Sequence, residues 1–321
     1  IRRRPGKDPA LIEKASQSQR RAGKPALVLP AACAVALLLR AIPFFLIQAS
    51  APERAVRPDT PSYEQPALAL LAHGVFSKGP QAPDQPEIFR TPGYPLLIAF
   101  SYALFGREHT PLILLQIAIG LCTVALAWKL ARRLWGEESA AAAAAFLMAL
   151  DPLAVLYSQL VLSDGLFACL FTLHCLIAAR LLEAEKREFA WGLAAGATLA
   201  AATFVRPVSY YFIAPLLVGL IWVKKHRGRT WRSALAPGFA ILLVWIPLIG
   251  GWQWRNQRLT GDGEFSAVQS VNLLLYRGAG IVALRDGIGL EAAQEQLRRQ
   301  APAAARATDA AWYRYCKTEG A

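Results

Sequence analysis

Charged residues are scarce in this chain, and acidic residues are fewer than basic ones. Of the 321 residues only 18% are charged, whereas 55% are hydrophobic and the mean hydropathy is +0.32. A typical water-soluble domain carries about 25% charged residues. The apolar residues also form blocks long enough to cross a membrane. The composition therefore predicts an all-α integral membrane protein, because a helix satisfies its own backbone hydrogen bonds inside a bilayer.

Motifs for soluble nucleotides and common hydrolases are also absent. The sequence has no Walker A loop, no Gly-x-Gly-x-x-Gly, no Gly-x-Ser-x-Gly and no His-Glu-x-x-His. Of the five cysteines, only Cys316 lies outside the apolar blocks, so no intramolecular disulfide framework is expected. Nucleic acid is not an expected partner, although the net charge is +13, because Lys and Arg concentrate in short loops between apolar blocks.

The apolar blocks predict about seven transmembrane helices, at residues 26–47, 111–128, 140–157, 160–179, 189–205, 210–223 and 234–252. A further block at 94–105 is too short to cross and is expected to lie at the outer interface. With this assignment eleven Lys and Arg residues fall in three inner loops, whereas the two short outer loops carry only Arg206. This bias supports seven spans with the N-terminus inside.

Three regions follow from these spans. Residues 1–25 form a basic cytoplasmic tail, and residues 26–252 form the membrane domain, with a long outer loop at 49–110 that contains interfacial helices. Residues 253–321 form an extracytoplasmic segment with an amphipathic helix near 290–306, and we expect the native chain to continue beyond it. The expected location is the plasma (inner) membrane, crossed several times.

Five charged residues from separate places in the sequence fall at the outer face: Asp59, Arg90, Asp164, Arg206 and Arg255. Ionisable residues near a membrane interior usually face a water-filled cavity or a partner. Acids and bases gathered on one side predict a pocket for an anionic, partly lipidic ligand. Local alternatives remain open, because Asp59 could simply cap the next helix and Asp164 could be favoured by a helix dipole.

The arginines have two interpretations. Each could extend its charged end from a span to the interface, or each could bind phosphate through the planar guanidinium group. Arg255 and Asn256 follow an aromatic pair typical of a membrane boundary, and both could face the same phosphate.

An ordered set of short motifs resembles a known family. The set comprises Asp59-Thr60-Pro61-Ser62-Tyr63, Arg90-Thr91-Pro92-Gly93-Tyr94-Pro95, Leu162-Ser163-Asp164, Val205-Arg206-Pro207 and Trp254-Arg255-Asn256. It resembles the membrane glycosyltransferases of the GT-C type, in particular the branch with protein O-mannosyltransferases and lipid A aminoarabinose transferases. The resemblance covers roughly residues 27–278.

This resemblance implies transfer of a sugar, hexose or pentose, from a polyprenyl-phosphate carrier to a glycan, lipid or protein acceptor at the outer face. It implies that Asp59 is the general base and that the transfer inverts the anomeric carbon. Asp164 would orient the acceptor or help to bind a divalent cation. The remaining expected roles are donor phosphate binding by Arg90, Arg206 and Arg255, and contact with acceptor or sugar by Tyr63, Tyr94 and Asn256.

The first loop departs from the family pattern. Several family members carry two adjacent acids there, whereas this chain has Pro58-Asp59-Thr60, so metal use stays open. A second function is a transporter or flippase for a lipid-linked or anionic solute, with Asp164 and Arg206 as coupling groups. That function predicts a polar pathway at mid-membrane, for example one lined by Asp151 and His174.

Overall fold

The structure is a computed structural model, which describes residues 27–184 and 186–320. The expected basic tail at 1–25 lies outside the described residues. Within the described residues helices dominate, and the only β pairing is a single bridge between Ser77 and Pro86. The expectation of an all-α membrane protein is confirmed.

Ten helices, with two short 3-10 turns, run from the first span to the end of the last. They are α1 (Val28–Ser50), a 3-10 turn (Pro52–Ala55), α2 (Thr60–His73), α3 (Gly93–Phe105), α4 (His109–Trp135), α5 (Glu138–Leu150), α6 (Pro152–Tyr157), α7 (Asp164–Glu183), α8 (Glu188–Val205), a 3-10 turn (Pro207–Phe212), α9 (Ile213–His226) and α10 (Trp231–Thr260). The C-terminal part has α11 (Val268–Asn272), a π-helical segment (Leu273–Gly278), α12 (Ala279–Asp286), α13 (Leu290–Gln300), α14 (Ala303–Arg306) and α15 (Asp309–Gly320).

Six helical segments of the described residues are long and apolar enough to cross a membrane, whereas about seven spans were expected. They are Val28–Ile47, His109–Trp135, Asp164–Glu183, Glu188–Val205, Pro207–His226 and Trp231–Thr260. Residues 140–157, predicted as one span, form two helices, α5 and α6, with a break between them. Pro152 has no backbone N–H and disfavours helical geometry at Asp151, whose ψ is 113° and whose carboxylate accepts the Leu153 N–H.

The broken pair α5 and α6 nevertheless joins the two ends of the bundle. At its start, Glu138 lies beside Trp128 and Arg132 near the end of α4. Just after its end, the backbone of Val161 receives a hydrogen bond from Thr60 Oγ1 at the start of α2. The two short helices together therefore run from one end of the bundle to the other.

The basic loops meet at one end of the bundle. Arg133 on α4 pairs with Glu183 on α7 at 2.6 Å. Lys224 and Arg229 both pair with Glu188, at 3.1 and 2.9 Å. Asp164 and Arg206 lie at the opposite ends of α7 and α8, and Asp59 and Arg90 are joined to them through Tyr63. The fold therefore places the basic loops and the candidate site residues at opposite ends of the bundle, as the sequence indicated.

Small residues let the longest helices approach closely. A side chain at Gly196 on α8 would stand 2.5 Å from the backbone oxygen of Ile241 on α10, and one at Gly192 would stand 2.7 Å from Pro237 O. Such small-residue contacts are typical of helix pairs in membranes. In lipid, helices associate through close van der Waals packing, because the hydrophobic effect does not drive them together. They fix α8, and therefore Arg206 at its end, relative to α10.

Two boundaries near the C-terminus differ from expectation. The helix that contains the last predicted span does not end at residue 252 but continues as α10 to Thr260, so Arg255 and Asn256 lie on a helix. The amphipathic helix expected near 290–306 is two helices, α13 and α14, because Pro302 interrupts it. This C-terminal part packs on the outer loop, where Ser266 Oγ donates to Phe89 O at 2.7 Å and Ala267 N donates to Ile88 O at 3.0 Å.

Candidate active site

Asp59 stands immediately before α2, but its carboxylate does not cap that helix. Its Oδ1 lies 2.9 Å from Arg90 Nη2, and the side chain is 64% exposed. The next residue, Thr60, stabilises the turn that precedes α2. Its Oγ1 accepts the Arg57 N–H at 2.9 Å and donates to Val161 O at 3.0 Å. The simple capping role is therefore not observed, and the carboxylate remains accessible to a ligand.

Arg90 holds the first turn of α2 through all of its guanidinium nitrogens. Besides Asp59, it donates to Ser62 Oγ at 2.8 Å and to Tyr63 OH at 3.0 Å. Its guanidinium carbon lies 4.3 Å from the centre of the Tyr63 ring, and its side chain is 11% exposed. A planar cation used in this way fixes the position of the aspartate.

The buried carboxylate of Glu87 shapes the loop that presents Arg90. Its Oε1 accepts the backbone N–H groups of Phe89 at 2.5 Å and Arg90 at 2.8 Å. Burial raises the pKa of this carboxyl above its ordinary value, although those two N–H groups and the nearby Lys78 act in the opposite direction. The sequence analysis did not select Glu87, because nothing in the neighbouring residues indicates that its side chain is buried.

Asp164 and Arg206 form a second ion pair at the same end of the bundle. Asp164 is the first residue of α7 and contacts the guanidinium of Arg206, which follows α8. The two pairs are connected through Tyr63, whose hydroxyl lies 3.2 Å from Ser163 Oγ. Residues separated by about a hundred positions thus form one polar strip.

One cavity of about 480 Å³ contains both ion pairs. Its walls include Asp59, Arg90, Asp164 and Arg206, together with Tyr63 from the motif of the first loop. The C-terminal part supplies the other side, with Asn272, Tyr276, Gln294 and Arg298. Four of the five charged residues singled out from the sequence therefore line the same cavity.

The other three expected site residues do not line this cavity. Arg255 donates to the carbonyls of Glu87 at 2.9 Å and Phe76 at 2.7 Å, so it anchors the outer loop to α10. Asn256 is fully buried and donates to Glu264 O at 2.8 Å. Tyr94 is fully buried, and its hydroxyl donates to Gln116 Oε1 at 2.8 Å. All three positions are structural in this fold.

Arg298 is the most informative residue that the sequence did not single out. It is exposed on α13 and lines the cavity, and its guanidinium group makes no hydrogen bond or ion pair with the residues that the structure describes. The amphipathic pattern predicted a helix here but could not show where that helix docks. Arg298 is therefore a cation available to a ligand.

The polar groups proposed for a transport pathway have other partners. His174 is fully buried and lies 3.1 Å from Ala195 O, whereas Asp151 caps α6. Neither lines the cavity that holds Asp59. Across residues 27–184 and 186–320, no group of three or more His, Cys, Asp or Glu side chains is arranged to hold a metal ion.

Comparison with known proteins supports the family resemblance. A search of curated proteins and a search of solved structures each found no match. The family model for dolichyl-phosphate-mannose-protein mannosyltransferases matches residues 84–254, which include Arg90, Asp164 and Arg206. This match covers more than half of the 321 residues. The chain therefore belongs to the dolichyl-phosphate-mannose-protein mannosyltransferase family and is a multi-pass membrane glycosyltransferase of the GT-C type.

Proposed function

We propose that the protein transfers a sugar from a polyprenyl-phosphate carrier to an acceptor hydroxyl at the outer face of the plasma membrane. The observation that carries this proposal is the single cavity that holds Asp59, Arg90, Asp164 and Arg206. The basic loops gather at the opposite end of the bundle, and basic loops favour the cytoplasmic side. The cavity therefore lies at the extracytoplasmic end.

The charges of the cavity match a phosphodiester. Asp59 is balanced by Arg90 and Asp164 by Arg206, which leaves Arg298 as an uncompensated cation among the lining residues. A sugar joined to a polyprenyl monophosphate carries one negative charge at its phosphodiester. Arg206 and Arg298 are the phosphate ligands in this proposal, and Asp164 orients Arg206. A guanidinium suits this task because it presents several donors in a fixed plane.

An adjoining cavity suits a partly lipidic donor. It measures about 460 Å³, shares Arg206 and Asn272 with the first cavity, and is also lined by Val208, Tyr211 and Leu273. Val208 and Tyr211 are 69% and 60% exposed at the end of two membrane spans. A prenyl chain can approach along this apolar surface while its phosphate reaches Arg206.

The proposed chemistry is a single displacement. Asp59 accepts the proton of the acceptor hydroxyl as that oxygen attacks the anomeric carbon of the donor. The bond between the anomeric carbon and the phosphate oxygen breaks, and its electron pair leaves with the polyprenyl phosphate. Arg206 and Arg298 stabilise the charge that develops on this leaving group. Attack opposite the leaving group inverts the anomeric configuration.

Asp59→Asn tests the proposal because it removes the base but keeps the size of the side chain. In liposomes that contain a polyprenyl-phosphate sugar, we expect sugar transfer to fall about 10²- to 10⁴-fold. Asp286→Asn is the matched control, since Asp286 also pairs with an arginine, Arg285, but lies outside the cavity. Near-wild-type turnover of correctly inserted Asp59→Asn protein would refute the assignment.

A further inference from the structure

A second cavity lies close to the candidate active site. It measures about 410 Å³ and lies between the loop at residues 77–86, the last turn of α10 and the first turn of α15. An ion pair between Lys78 and Asp309 joins the loop to α15. Both walls of this cavity are therefore held in place by contacts within the protein.

The position of this cavity places it on the aqueous side of the membrane boundary. Trp254 on α10 is 64% exposed, and exposed tryptophans favour the membrane interface. Leu259 and Thr260, which line the cavity, follow it on the same helix. At a helical rise of about 1.5 Å per residue, these residues lie roughly 7 to 9 Å farther along the helix axis. A ligand of this cavity is therefore water-soluble.

A residue that lines this cavity contacts a residue that lines the candidate active site. Phe89 lines the cavity that holds Asp59, and Tyr313 lines the second cavity. Their rings are stacked, with centroids 6.0 Å apart. The linings of the two cavities are therefore in direct contact at this pair.

The lining of the second cavity includes an aromatic ring and planar polar groups. Tyr313 contributes its ring, and Asp84 and Gln85 contribute side chains that have no polar partner among the described residues. A pyranose presents an apolar C–H face and a set of hydroxyl groups. A tyrosine ring can pack against that face, while a carboxylate and an amide bond the hydroxyls.

Two features favour a neutral glycan over other ligands. The backbone of the loop is already paired, with Lys78 N donating to Gln85 O at 3.0 Å and Glu87 N donating to Phe76 O at 3.3 Å. These paired groups are not available to an added peptide strand. Since Lys78 and Asp309 balance each other, Asp84 leaves a negative charge that disfavours an anionic glycan.

We propose that the second cavity binds the water-soluble part of a neutral glycan acceptor and directs its reacting hydroxyl toward Asp59. This inference rests on the proposed function, because it assigns an acceptor to the same reaction. Asp84 and Gln85 are specificity residues in this proposal, and they take no part in the proton transfer.

Saturation-transfer NMR on the full-length protein in nanodiscs tests the proposal without requiring turnover. The probes are mannotriose, maltotriose and chitotriose, with a Ser/Thr-rich peptide as the competing class. We expect saturation transfer to at least one trisaccharide and a fall of about fivefold in Asp84→Ala, the effect of losing one hydrogen bond. Gln85→Ala should give a similar fall, whereas Asp286→Ala, which changes an exposed carboxylate elsewhere, should leave the signal unchanged.

The Asp59→Asn variant separates the two proposals. It should keep trisaccharide binding while losing sugar transfer. Retained transfer in Asp59→Asn would overturn the proposed function, whatever the NMR result. Absence of a trisaccharide signal in wild-type protein, or an equal signal in Asp84→Ala and Gln85→Ala, would overturn the glycan site. Binding of the peptide alone, lost in those variants, would also overturn it and assign the cavity to a protein acceptor.

Discussion

Arg90 binds Asp59 and the first turn of α2 at the same time. Its Nη2 lies 2.9 Å from the Asp59 carboxylate, while Nε and Nη1 donate to Ser62 and Tyr63. The sequence favoured a phosphate ligand at position 90, and this geometry favours a residue that positions the base. The two roles predict different kinetics.

Arg90→Lys distinguishes them. An ammonium group keeps the charge but cannot reach three partners in one plane, so the aspartate should lose its fixed position. We expect kcat to fall about 10²-fold, as for a misplaced catalytic group, with the donor KM nearly unchanged. Initial rates at varied donor concentration measure both constants. Arg107→Lys, at an exposed site in the same outer loop, is the control. A raised donor KM with unchanged kcat would instead assign Arg90 to the phosphate.

Arg298→Gln should weaken donor binding. This variant removes the cation that the cavity leaves uncompensated, and a hydrogen bond to a charged group contributes about 1.5 to 3 kcal/mol. The donor KM should therefore rise about 10- to 100-fold. Its neighbour Arg299 pairs with Glu295 and does not line the cavity, so Arg299→Gln is a closely matched control. Equal effects of the two substitutions would show that only general surface charge matters.

Glu87→Gln should preserve the loop and change its response to pH. The pKa of Glu87 is raised by burial, so the folded state binds more protons than the unfolded state above the ordinary pKa of 4.5. The stability of the wild-type protein should therefore fall as the pH rises from that value through the raised pKa. Gln keeps the oxygen that accepts the two N–H groups but carries no charge.

Thermal unfolding at several pH values measures this effect. At pH 7 the Tm of Glu87→Gln should equal or exceed that of the wild type, and the difference should shrink toward pH 5. Glu87→Ala should lower Tm at both pH values, because it leaves the N–H groups of Phe89 and Arg90 without their acceptor. A Gln variant less stable than the wild type at pH 7 would show that the ionised carboxylate is the stabilising form.

Gly196→Ala should separate α8 from α10. The added carbon would stand 2.5 Å from Ile241 O, a backbone atom that cannot move aside without shifting the helix. We expect a loss of about 1 to 3 kcal/mol, seen as a lower Tm, as for other overpacked sites. Gly250→Ala on α10 is the control, because nothing lies within 4 Å of the added carbon. The prediction fails if both variants unfold at the same temperature.

The span at 140–157 shows where an apolar pattern is insufficient. Its composition is apolar enough for a crossing, and Ala141, Ala145 and Ala149 are buried in the bundle as a small-residue face. The break at Asp151 and Pro152 depends on local backbone chemistry rather than on hydropathy. An average over a window of residues does not detect it.

Arg255 shows a different limit. Like Arg206, it is an arginine predicted at the outer end of a span, so the sequence placed both on the donor phosphate. In the structure the continued helix directs Arg255 toward the carbonyls of Phe76 and Glu87. An arginine at the outer face can bind a ligand only if its guanidinium is not already bonded within the protein. For Arg255 that depends on a contact with a residue about 170 positions away in the chain.

The sequence by itself determined the membrane class, the charge asymmetry between the two faces and the set of motifs from which Asp59, Arg90, Asp164 and Arg206 were chosen. These properties follow from hydropathy and from short-range pattern, which need no knowledge of distant contacts. The tertiary structure alone decided that Asp59 pairs with Arg90, that Arg255 and Tyr94 are internal, and that Arg298 completes the cavity. Those facts depend on how the C-terminal helices pack on the outer loop. Such packing joins residues that are distant in the sequence, so local sequence patterns do not predict it.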